Sequence, residues 1–207
     1  RLLDAEDRRL IQWTIVGYPN EGWATAVVGG PDVERLWDSV AAATRLDEPD
    51  PVAAWHEHLD RLRERAALLD ERRFDAIRFR GPGTDLFVGL CDRHRWLTAA
   101  EVSVEGVPHV VNVPTEEVYT TPDRTRTEGT VRSTFPLALG GTIVDGLEIR
   151  FEAGKAVAVR AESGADAVRA EMTVDEGASY LGEVALVDRD SRVRRTGVVF
   201  LDTLFDE

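Results

Sequence analysis

The chain has 207 residues, 43% of them apolar, which is enough to bury a sizeable core. Its 38 acidic residues outnumber 25 basic ones, and the resulting net charge of −13 repels phosphate backbones and anionic lipid, which argues against nucleic-acid and membrane partners. The single cysteine, Cys91, cannot form an internal disulfide and favours a reducing compartment, and no apolar run approaches the roughly 18 residues of a spanning helix.

The chain opens Arg1-Leu2-Leu3-Asp4, without a Met, and ends Leu204-Phe205-Asp206-Glu207 after an apolar run. Both ends read as cuts inside a longer protein. Leu2, Leu3 and Leu10 belong to a short charged helix. Gln12 to Tyr18 is a compact apolar run closed by Pro19-Asn20, which suits a buried strand. Pro31-Asp32 opens a helix with Val33, Leu36, Trp37, Val40 and Thr44 on its apolar side. Asp50 suits an N-cap, and Pro51 suits the first helical position, where its missing N–H would have no partner anyway. Beyond it Val52, Trp55, Leu59, Leu62, Ala66 and Leu69 step by three and four, an apolar stripe on a charged helix. Phe74 to Phe79 and Asp85 to Leu90 read as strands around the turn Gly81-Pro82-Gly83-Thr84.

Beyond about residue 98 the pattern becomes β-rich. Val107, Val110, Val111 and Val113 form one run, and Thr130 to Leu139 another before the turn Gly140-Gly141. Leu147, Ile149 and Phe151 alternate with charged residues, and Ala153-Gly154-Lys155 leads to Val157 and Val159, a hairpin pattern. A short helix is expected over 165–172 and a second from Thr173–Asp175 to Gly182, with Glu176 placed for a capping box. Glu183 to Val187 and Gly197 to Leu201 read as strands. The expected fold class is an α/β N-terminal part followed by a mainly antiparallel β (α+β) part, together a fragment of a two-domain protein. The boundary is placed between about 92 and 106, dividing the chain into 1–97 and 98–207.

Few residues suggest chemistry. His56 and His58 lie two apart on a helix and cannot face one ion together, so the His-Glu-His string reads as a solvated face. His94 and His109 have no partner at ligand spacing. There is no Gly-x-Ser-x-Gly motif, and nothing singles out Cys91 as a nucleophile. The carboxylates stand out. Glu116 and Glu117 lie between Pro114 and Pro122, after an apolar strand. In an extended segment neighbouring side chains point opposite ways, so one Glu can ligate an ion while the other approaches a water. Glu183 sits at an element junction beside an apolar strand, where a carboxylate is costly unless a cation pairs with it.

The blocks VNVPTEEVYTTPDR, EGTVRSTFPLALGG, DEGASYLGEVALVD and GVVFLDTLFDE resemble, in order, signature blocks of the thermophilic metallo-aminopeptidases. QWTIVGYP, LWDSVAAATRLDEPDPVAAWHEHLDRL and FRGPGTDLFVGL resemble the segment that precedes those blocks in the family, so the similarity runs nearly end to end. The resemblance implies a cytoplasmic exopeptidase that removes the N-terminal residue of peptides with two divalent metal ions, of zinc, cobalt or magnesium. It implies metal ligation by Glu117 and Glu183, with Glu116 as general base by analogy with other two-metal aminopeptidases. It also implies a homodimer, a first part (1–97) that closes an α/β domain, and a second part (98–207) that begins the metal-binding catalytic domain. In the family the block ending LFDE is followed by a His ligand and later by a further His and an Asp. This chain holds none of these, so its metal site is expected to be incomplete and the chain inactive by itself. The alternative reading is a non-catalytic α/β module that binds a peptide or protein.

Overall fold

The structure, a computed structural model, describes residues 2–206. Helices dominate the first third. They are α1 (Leu2–Asp7), α2 (Glu21–Val28), α3 (Val33–Ala43) and α4 (Pro51–Arg72), with the two-residue strand β1 (Ile15–Val16) between the first two. α4 begins where its cap chemistry dictates. The Asp50 side chain accepts from Ala53 N at 3.0 Å, and Pro51 occupies the first turn. The stripe of α4 is buried at Leu59, Leu62 and Ala66, but Val52 at its start is exposed.

Antiparallel strands dominate the remainder. A five-stranded sheet has the order β12-β11-β8-β3-β2, built from β2 (Ala76–Gly81), β3 (Thr84–Leu90), β8 (Pro122–Arg132), β11 (Glu148–Glu152) and β12 (Lys155–Arg160). Ala153 (φ 47°) and Gly154 (φ 82°) form the two-residue turn between β11 and β12, and a Cβ on Gly154 would stand 1.8 Å from the Arg124 carbonyl oxygen. Smaller ladders pair β4 (Ala100–Val102) with β5 (Pro108–Val110), β9 (Leu137–Leu139) with β10 (Thr142–Val144), and β7 (Glu117–Thr120) with β13 (Val184–Val187). β6 (Asn112–Val113) runs parallel to β1. Helix α5 spans Ala165–Glu171 and α6 spans Arg192–Arg195. The α/β-then-antiparallel architecture is therefore the one present. The five-stranded sheet, however, takes β2 and β3 from before residue 97 and β8, β11 and β12 from after it, so a division at 97/98 runs through one hydrogen-bonded sheet.

Two cores hold these layers. Leu62 and Ala66 of α4 pack against Leu86, Val88 and Leu90 of β3, Phe151 of β11, Val118 of β7 and Val184 of β13. Burying a side chain such as Leu62 contributes about 1.5–3 kcal/mol. The same contacts fix the β7–β13 ladder beneath α4. The second core joins Ala24, Leu36, Val40 and Ala43 of α2 and α3 to Phe200 and Phe205.

Four expectations are corrected. Residues 173–182 form turns, not a helix, because the Asp175 carboxylate accepts from Gly177 N (2.6 Å) and Ala178 N (2.9 Å), drawing those amides away from helical bonding. Residues 197–201 form no strand, because the Asp206 carboxylate takes the Phe200 and Asp202 amides. Ile15 and Val16 are exposed at 52% and 59%, so the run around them is not a buried strand. His58 is buried at 5% exposure rather than solvated. A helix absent from the sequence reading, α2, follows directly from Asn20, whose side chain caps Trp23 N at 3.0 Å, and ends at Gly29 in the left-handed region.

Candidate metal centre

Strand β7 sorts its side chains by the alternation of a pleated strand. Glu116, Val118 and Thr120 point into the molecule, at 5%, 0% and 2% exposure. Glu117 and Tyr119 point to the other face and are half-buried. β13 pairs antiparallel with β7, Val187 opposite Glu117 and Ala185 opposite Tyr119. Glu183 immediately precedes β13 and by the same alternation lies on the face of Ala185 and Val187. The ladder thus brings Glu117 and Glu183 to one face, with Tyr119 between them.

The electrostatics of that face are those of anions lacking a cation. Among the described residues neither Glu117 nor Glu183 makes a hydrogen bond or an ion pair. Burial, reinforced by the Glu183 charge, pushes the Glu117 carboxyl up to about 7. Glu183 keeps an exposed edge, yet partial burial raises its pKa as well. Burial and then the charges of Glu183, Glu101 and Glu117 raise the Tyr119 phenol. No motif in the sequence marks Tyr119 as part of this face. Its signal was its position two residues after Glu117, which places it on the same strand face.

Glu116 lies on the opposite side, in a buried ion pair. Its Oε1 is 2.7 Å from Arg45 Nη2, the two side chains being 6% and 4% exposed, with a geometry closer to ion pairing than to an aligned hydrogen bond. Arg192 N donates to Glu116 Oε2 at 3.4 Å, and His58 Nε2 stands 3.9 Å from Oε1. His58 Nε2 donates to the Thr115 carbonyl at 2.7 Å, and burial lowers the pKa of this imidazole. Arg45 also lies over the Trp55 ring at 5.0 Å. The Glu116 carboxylate is thus ion-paired with Arg45 and, by the alternation of the strand, points away from the face of Glu117. His94 bonds the Cys91 carbonyl, and His109 stands 3.9 Å from Glu101. Neither joins the two carboxylates.

A family model for thermophilic metalloproteases (M29) matches residues 1–207. The chain belongs to the M29 family. Among M29 relatives, Aminopeptidase T from Thermus thermophilus is 51% identical over 209 residues, covering 99% of this chain and 51% of that protein. Aminopeptidase AmpS from Bacillus subtilis is 40% identical over 201 residues, covering 95% of this chain and 49% of the relative. The solved structure of wild-type AmpT from Thermus thermophilus superposes with a TM-score of 0.86 at 50% identity, over 94% of this chain and 48% of that one. The chain spans about half the length of the M29 relatives it matches.

The M29 family is one of metallopeptidases, and the donors on the β7–β13 face fit part of a divalent-ion site. Glu117 and Glu183 are hard oxygen donors with raised pKa values and no counter-charge of their own among the described residues. They do not make a complete site. Among the described residues no group of three or more His, Cys, Asp or Glu is placed to hold an ion, and no helix is long and apolar enough to cross a membrane.

Proposed function

We propose that the full-length M29 protein carrying these residues is an aminopeptidase that hydrolyses the N-terminal peptide bond of peptides, and that Glu117 and Glu183 are carboxylate ligands of its dinuclear zinc, cobalt or magnesium site. The observation that supports this most is that the half-buried Glu117 and the more exposed Glu183, neither side chain bonded among the described residues, lie on one face of the β7–β13 ladder. When bound, the divalent ions supply Lewis acidity that lowers the pKa of water and offsets negative charge on the reacting carbonyl. Glu117 and Glu183 would hold the cations through their carboxylate oxygens. Tyr119, which lies between the two carboxylates along the ladder, also lines a separate cavity of about 290 Å³ with Trp96, Leu97 and Glu101.

Because Glu117 and Glu183 are the two donors the described residues place on this face, these residues by themselves bind Co²⁺ weakly and lack activity. The net charge of −13 supports a role away from nucleic acid and anionic membranes. Homodimer assembly and a cytoplasmic location are carried by the family resemblance and belong to the same proposal. In the full-length protein, Glu183→Gln abolishes release of p-nitroaniline from an amino-acid p-nitroanilide. Full activity in that variant would remove Glu183 from the ligand set.

A further inference from the structure

The charges buried behind β7 have no part in holding an ion, yet they are elaborate. Arg45 comes from the turn after α3 and adopts a left-handed backbone at φ 62°, a conformation that persists for a non-glycine residue only where its surroundings enforce it. His58 of α4 grips the Thr115 carbonyl, and the Arg192 amide reaches Glu116 Oε2. The Arg192 side chain returns to the segment around Arg45, bonding the Ala42 carbonyl at 3.3 Å and Asp47 at 2.6 Å and pairing with Glu48. Three separate parts of the chain therefore converge on residues 115 and 116, next to Glu117. Well-packed apolar residues commonly stabilise a core as well as a buried ion pair does, so stability alone does not account for these charges.

We propose that Arg45 and Glu116 are positioning residues for the metal: by locking the inward side chain of residue 116, they fix the outward direction and height of the Glu117 carboxylate. The inference rests on Glu117 being a ligand. Its physical basis is the two-residue period of a strand, in which a small rotation at one side chain carries its neighbour with it on the other face. His58 and the Arg192 amide complete the clamp from α4 and from the segment after β13, so the strands bearing Glu117 and Glu183 are tied to one buried network.

The test uses the full-length protein loaded with Co²⁺ and three readouts: Co²⁺ affinity by titration, the visible absorption of bound Co²⁺, and kcat against KM on an amino-acid p-nitroanilide. Glu116→Gln weakens Co²⁺ binding by about 10- to 100-fold, as loss of a residue that orients a ligand does. It also changes the Co²⁺ spectrum and lowers kcat at saturating Co²⁺ while KM is unchanged. The double variant Arg45→Met/Glu116→Leu replaces both charges by apolar groups, which spares the fold an unpaired charge, and it keeps the same defects. Leu62→Ala, a purely packing change in the adjacent core, lowers the melting temperature and leaves the spectrum intact. A double variant with parental Co²⁺ affinity and spectrum would overturn the proposal. Parental Co²⁺ affinity in Glu117→Gln would instead overturn the ligand assignment beneath it.

Discussion

Replacing Glu117 by Gln removes the most strongly perturbed carboxyl on the β7–β13 face. The folded protein holds this carboxyl up to about 7, against an ordinary value of 4.5, a difference of 7 − 4.5 = 2.5 units. At about 1.4 kcal/mol per unit the upper bound is about 3.5 kcal/mol, and because the group is partly solvated about 1–2 kcal/mol is the realistic share. The direction follows from proton binding. Between pH 4.5 and 7 the folded state keeps the proton and the unfolded state releases it, so rising pH favours unfolding. Above pH 7 both states are ionised and the full penalty applies. With metal removed by a chelator, Glu117→Gln is therefore more stable than the parent by about 1–2 kcal/mol at pH 8, and that advantage shrinks towards zero at pH 4.5. Urea unfolding of parent and variant at several pH values measures it, the difference between the two curves isolating residue 117 from every other titrating group. Parallel curves would refute the reasoning, since they would mean that Glu117 is neither desolvated nor repelled by Glu183.

Two further outcomes follow from residues that hold the scaffold. Burial keeps His58 neutral in the fold, so the unfolded chain takes up a proton below about pH 6.5 that the folded protein refuses, and stability falls as the solution is acidified. His58→Gln flattens that part of the pH–stability curve while destabilising the protein at pH 8 through loss of the Thr115 bond; an unchanged acid slope would contradict a buried neutral imidazole. Asp50→Ala removes the cap on α4 and costs about 1 kcal/mol in chemical denaturation, whereas no loss would show that α4 is held by packing alone.

The parts of the fold legible in the sequence are those set by local chemistry. α4 was readable because its cap, its Pro51 and its apolar stripe agree, and the β11–β12 hairpin because alternation and a turn dipeptide coincide. The errors arose where one side chain competes for backbone amides. Asp175 diverts a segment whose pattern otherwise suits a helix, and Asp206 does the same for the run around Phe200. His58 shows a subtler miss. It lies three residues after Trp55 and four before Leu62, on the apolar stripe itself, and that position outweighs the polar neighbours that suggested a solvated face.

At the candidate site the acidic doublet was visible, and so was the opposite orientation of its members. The partner of each member was not. Arg45 is far from Glu116 in sequence, and only the fold brings the two together as a buried ion pair. The placement of Glu117 and Glu183 on one face likewise depends on the β7–β13 register, which no local motif specifies.

The central claim is that one divalent-ion site sits on the Glu117–Glu183 face. The most direct measurement is anomalous diffraction from crystals of the full-length protein grown with Co²⁺ or Zn²⁺. A dinuclear site on this face gives two anomalous peaks, with oxygens of Glu117 and of Glu183 among their ligands at about 2.0–2.2 Å for a zinc–carboxylate bond. Peaks that leave either carboxylate unligated, or that appear on the Glu116 side of the strand, would contradict it.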